Sequence, residues 1–156
     1  MAPKVYLETT IPSYLTALPS RDLVVAAHQQ ITREWWQGRE RFELFISQIV
    51  LREASGGDAE AASRRIELVQ GIPVLEVTEE ASVLAEELVR RGALPENAAV
   101  DALHISVAVV NGLDYLLTWN CTHIANAMIR GDIEHICRSK EYEPPVICTP
   151  EELMEV

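Results

Sequence analysis

The sequence predicts an α/β fold, a largely parallel sheet covered by helices on both faces, in three α/β/α layers. Three observations predict it. Short apolar runs of strand length alternate with longer helical stretches along the whole chain. Glycines, prolines and capping residues punctuate the alternation. No repeat, low-complexity tract or linker interrupts it, so residues 1–156 read as one domain with a sizeable core.

The elements follow in order. Lys4 to Leu7 reads as a buried first strand, ended by Glu8. Ile11-Pro12-Ser13 sets a proline in the first turn of a helix. After a start signal at Ser20 to Asp22, Leu23 to Gln37 reads as a helix closed near Gly38. Phe42 to Ile46, apolar and with aromatics, suits a strand. Ser47 caps a helix that carries Val50 and Glu53 on one face, and Gly56-Gly57 stops it. Asp58 caps the next, through about Val69. Gly71 and Pro73 precede a strand over Val74 to Val77, and Thr78 starts a helix through Arg91, ended by Gly92. Pro95 to Asn97 opens a helix through Val110, with Val100, Leu103, Val107 and Val110 as its core stripe and Asp101 and His104 alongside. Tyr115 to Thr118 reads as a buried strand with Trp119-Asn120 at its C-terminal end. His123 to about Lys140 is helical, and Pro144-Pro145 leads into a last strand, Val146 to Cys148. Thr149-Pro150-Glu151-Glu152 is a capping box with proline at the first helical position.

Composition narrows the function. The net charge of −11 argues against broad, non-specific nucleic-acid binding, yet leaves room for a nuclease whose metal-binding carboxylates are themselves negative. The arginine pairs Arg64-Arg65 and Arg90-Arg91 read as solvated helix faces. No apolar run is long enough to span a bilayer and the N-terminus shows no signal-peptide pattern, so a cytoplasmic location with no membrane partner is expected. Cys121, Cys137 and Cys148 lack ligand-like spacing and read as ordinary thiols.

In open parallel sheets a site forms beyond the C-terminal ends of the strands, where Glu8 and Asn120 fall. Glu8 follows a buried strand, Glu53 ends an apolar helix and Asp101 opens another among apolar neighbours. Brought together, these acids need a proton or a cation to offset their repulsion, and hard oxygen ligands suit Mg²⁺ or Mn²⁺. Singly, each has a plainer reading: Asp101 as a helix-dipole residue, Glu53 as an exposed helix end, Glu8 as the flank of a turn. His104, one helical turn from Asp101, either touches the site or is a hydrogen-bonded structural residue. His123 is a candidate for the rim. Trp119 either stacks a base or packs.

Four segments in order are similar to the motifs of the PIN-domain nucleases. Tyr6-Leu7-Glu8-Thr9-Thr10 looks like the opening strand and its acid. Ser47-Gln48-Ile49-Val50-Leu51-Arg52-Glu53 resembles the serine-headed helix that delivers a glutamate. Asp101-Ala102-Leu103-His104-Ile105-Ser106-Val107-Ala108 closely matches the third motif, and Tyr115-Leu116-Leu117-Thr118-Trp119-Asn120 resembles the fourth. The resemblance implies a PIN-like domain that hydrolyses RNA phosphodiesters with Mg²⁺ or Mn²⁺. Many such proteins are VapC-like toxins, homodimers held by an antitoxin protein. By motif position Glu8, Glu53 and Asp101 would be metal ligands, Asn120 would take the fourth acidic place, and Thr118 would orient the pocket. Two positions depart from the pattern. Glu8 replaces an aspartate, moving its carboxylate by about 1.5 Å, and Asn120 replaces an acid. Together they favour one metal over two. They also leave open a non-catalytic PIN-like binding module. A phosphatase of the haloacid-dehalogenase type fits poorly, because the first strand ends in Glu8-Thr9-Thr10 without its paired aspartates.

Overall fold

Val5, Tyr6 and Leu7 are consecutive and all fully buried, so both faces of the first strand, β1 (Lys4–Leu7), are covered. In the computed structural model, which describes residues 1–155, β1 is the central strand of five. The others are β2 (Glu43–Ser47), β3 (Val74–Leu75), β4 (Tyr115–Leu117) and β5 (Val146–Cys148). Their order is β3-β2-β1-β4-β5 and every pairing is parallel. Tyr6 pairs with Phe45 on one side and Leu116 on the other.

Seven helices connect the strands and complete the three-layer α/β/α arrangement: α1 (Thr10–Thr16), α2 (Leu23–Gln37), α3 (Gln48–Ala54), α4 (Ala59–Val69), α5 (Glu79–Arg90), α6 (Ala99–Val110) and α7 (Ala127–Ser139). The chain builds outward from β1 to β3, then returns through α5 and α6 to β4 on the other side of β1. That reversal leaves a crevice between the C-terminal ends of β1 and β4, the place where parallel sheets hold ligands.

Local chemistry sets the helix ends. The Oδ1 of Asp22 accepts the N–H groups of Val24 and Val25, and Oγ1 of Thr78 accepts that of Ala81. At the end of α5, Ala93 N–H donates to the Leu88 carbonyl and Gly92 N–H to that of Val89, a Schellman motif. It requires the left-handed backbone that Gly92 adopts at φ 84°.

The structure departs from sequence expectation at five places. The second strand runs Glu43–Ser47 rather than Phe42 to Ile46, because Ser47 both ends the strand and caps α3. The third is only Val74–Leu75. Val100 is exposed, and α6 buries Ala102, His104, Ile105, Ser106, Val107, Ala108 and Val109 instead of a single stripe. The last long helix begins at Ala127, not His123, since Asn126 is the residue whose side chain caps it, through Met128 N–H. The Thr149 capping box forms, with Glu152 Oε1 accepting the Thr149 N–H at 3.0 Å, yet the chain there makes turns and no α-helix.

Candidate active site

Glu8 is the first residue beyond β1 and Thr118 the first beyond β4, and both are buried. The Glu8 N–H donates to the Leu117 carbonyl, which holds the two strand ends together. Glu8 Oε1 accepts two short hydroxyl bonds, from Thr118 and from Thr10, each at 2.6 Å. Glu8 Oε2 has no hydrogen-bond partner among the described residues.

The short helix α3 brings Glu53 to the same place. Its Oε1 accepts from Thr9 Oγ1 at 2.5 Å and lies 2.6 Å from His104 Nε2. Partial burial pushes the Glu53 carboxyl up, but the bonds from His104 and Thr9 more than offset this and hold it below the usual carboxylate range. Behind it runs a buried polar chain: His104 Nδ1 is 2.7 Å from the Tyr6 hydroxyl, which is 2.7 Å from Ser47 Oγ. Glu8, Glu53 and His104 each offer a ligand atom, and these atoms lie within 4.8 Å of one another.

Asp101 stands outside that group and reaches it indirectly. Its Oδ2 is 3.0 Å from His123 Nδ1. The His123 N–H donates to Asn120 Oδ1, and the Asn120 N–H donates to Thr118 Oγ1, whose hydroxyl holds Glu8. A continuous hydrogen-bonded path therefore connects Asp101, His123, Asn120, Thr118 and Glu8. Among the described residues no lysine or arginine pairs with Glu8, Glu53 or Asp101; the only ion-pair geometries are those with His104 and His123. Surface hollows of about 380 and 480 Å³ along α5, and one of about 440 Å³ along α4, do not include these residues. The donor chemistry, not the size of a hollow, marks the site.

Trp119 belongs to the frame. It is nearly buried, its Nε1 donates to Thr32 Oγ1 at 2.7 Å, and the His28 ring lies parallel to it at 3.9 Å. Arg65 is half-buried and donates to the carbonyls of Ala54, the last residue of α3, and of Gly56 beyond it. Arg90 and Arg91 do face outward, paired with Glu87 and Ser139.

Two solved structures share this architecture. Mycobacterium tuberculosis VapC20, a toxin that cleaves the sarcin–ricin loop, superposes with a TM-score of 0.60 at 18% identity, over 76% of this chain and 92% of that one. VapBC2 from Rickettsia felis, bound to a DNA fragment from their promoter, gives 0.54 at 16% identity, over 94% and 98%. The chain has a VapC-like PIN-domain fold. Identities this low establish the fold alone, and neither a protein-family model nor a curated protein matches the sequence. His104 is the member of the close group that sequence reading left undecided. Its partner Tyr6 is 98 residues away, beyond the reach of any periodicity.

Proposed function

We propose that this protein is a ribonuclease that hydrolyses RNA phosphodiester bonds with Mg²⁺ or Mn²⁺, as the toxin of a toxin–antitoxin pair. One observation carries the reading. Glu8 and Glu53 each have one carboxylate oxygen anchored by two donors and the other without a partner among the described residues, at the sheet's switch point and with no lysine or arginine there to pair with them. That donor set fits a hard divalent cation. Glu8, Glu53 and Asp101 would hold it.

When bound, the cation polarises a phosphate oxygen and lowers the pKa of an attached water. The chain's own residues do the rest. Thr10 and Thr118 lock Glu8 Oε1, so the side chain cannot swing and its remaining oxygen keeps one direction. Glu53, more exposed than Glu8, would hold the cation at Oε2 directly, or through a water of the cation whose proton Oε2 takes up. Asp101 supplies further negative charge beside His123 at the rim. Glu8 and Asn120 in place of aspartate and a fourth acid favour a single cation.

RNA is the substrate, and an antitoxin protein covers the cleft through a basic side chain such as arginine. The protein acts as a cytoplasmic homodimer. Among the described residues no helix is long and apolar enough to cross a membrane. A second reading, a PIN-like binding module without effective chemistry, draws on Asn120, whose Oδ1 is already committed to the His123 N–H. Cleavage of labelled RNA with Mg²⁺, Mn²⁺ or chelator, against an Asp101→Ala control, separates the two. Metal-dependent cleavage lost in the control supports the ribonuclease. Equal cleavage by both proteins, or none by either, refutes it.

A further inference from the structure

The buried chain that runs from Ser47 through Tyr6 and His104 to Glu53 has a direction, and the direction follows from counting protons. Ser47 caps α3, so its Oγ accepts the N–H groups of Ile49 at 3.1 Å and Val50 at 3.4 Å. Both of its lone pairs are then used, and its single proton goes to the Tyr6 oxygen. Tyr6 is fully buried, and burial pushes its phenol well above the ordinary value, so it keeps its own proton. Having accepted from Ser47, it donates to His104 Nδ1. His104 is fully buried as well, and an imidazole ring whose Nδ1 accepts a hydrogen bond carries its ring proton at Nε2. Nε2–H points at Glu53 Oε1, an oxygen that can only accept. Counting from either end gives the same orientation.

We propose that His104 is a positioning residue. The relay fixes it as the Nε2–H tautomer, and this commits Glu53 Oε1 to the protein, leaving Oε2 alone for a cation. The proposal rests on the metal reading above and goes beyond it. Although a ring nitrogen of His104 lies within 4.8 Å of ligand atoms of both Glu8 and Glu53, Nε2, the one that faces Glu53, has no lone pair to offer. The relay also begins and ends on one helix: Ser47 caps α3 and Glu53 lies in its last turn, while Tyr6 on β1 and His104 on α6 close the circuit. Three elements far apart in sequence thus hold one carboxylate in a single rotamer.

The test uses the full chain labelled with ¹⁵N. Long-range ¹H–¹⁵N correlation spectra show which ring nitrogen of His104 is protonated, the signals being assigned by their loss in His104→Gln. Nε2–H is expected; Nδ1–H, or an imidazolium, overturns the relay without any reference to metal. Pulsed EPR of the Mn²⁺-loaded, unlabelled wild type should show no directly bonded ¹⁴N from His104. Such a coupling, lost in His104→Gln, would make His104 a ligand and end the proposal. Tyr6→Phe keeps the ring and removes the proton donor, and Mn²⁺ affinity should fall about 10- to 100-fold. Unchanged affinity overturns the positioning role. If the wild type binds no Mn²⁺, the metal reading fails and the positioning role falls with it, while the tautomer spectrum still judges the relay itself.

Discussion

Thr118→Val tests the geometry around Glu8. The two side chains have nearly the same shape, and Thr118 is fully buried, so the substitution deletes hydrogen bonds while leaving little void. Two bonds go: the 2.6 Å bond to the Glu8 carboxylate and the 2.9 Å bond accepted from the Asn120 N–H. A bond to a charged group is worth about 1.5–3 kcal/mol and a neutral one about 1 kcal/mol. Glu8 retains Thr10, and the added methyl returns about 0.8 kcal/mol of apolar burial. The net expectation is a loss of about 2–3 kcal/mol, or roughly 4–12 °C in Tm for a chain of this size. Urea unfolding in chelator measures it, with Thr118→Ser as the control. Serine keeps the hydroxyl and loses only a methyl, so it should fall less. A Thr118→Val midpoint within about 0.5 kcal/mol of wild type, the range of neutral surface changes, would refute the arrangement. So would a serine variant less stable than the valine one.

Three further outcomes are expected. Because Glu53 is held below its ordinary value, its stabilising effect is present above the unfolded carboxylate pKa, about 4.3, and is lost as pH falls through the folded value. Urea midpoints of the wild type should therefore drop more steeply below about pH 4 than those of Glu53→Gln, and parallel curves would contradict this. Of the three thiols only Cys121 is exposed, while burial pushes Cys137 up to about 11 and Cys148 up to about 12. One equivalent of a thiol reagent should react with native protein at pH 8, the others only after unfolding. Trp119→Ala should cost about 3–5 kcal/mol of stability with or without RNA. A variant of native stability that merely binds RNA more weakly would restore Trp119 as a base-stacking residue.

Much of the fold was legible because each strand is a continuous apolar run. Val5-Tyr6-Leu7 and Leu116-Leu117 read as buried, and they are fully buried. Boundaries slipped where one residue serves two elements. Ser47 belongs to β2 and also caps α3, and only the capping half shows in the sequence. The predicted start of α7 at His123 lay early: the chain there forms turns, with Asn120 Oδ1 accepting the His123 N–H, and the helix is capped by Asn126. The α6 stripe was misread because the helix is buried on most of its circumference, so no phase of its apolar residues is privileged. At the site, Glu8, Glu53 and Asp101 stood out as acids in apolar surroundings. What tied them together did not. Thr9, Tyr6 and His104 act through partners set by strand order, and nothing local to any of them names the partner.

A crystal soaked in Mn²⁺ and measured at the manganese absorption edge tests the central claim most directly. One anomalous peak is expected at the C-terminal ends of β1 and β4, ligated by Glu8 and Glu53, with Asp101 joining directly or through water. No peak there, or one bound away from Glu8 and Glu53, would contradict it.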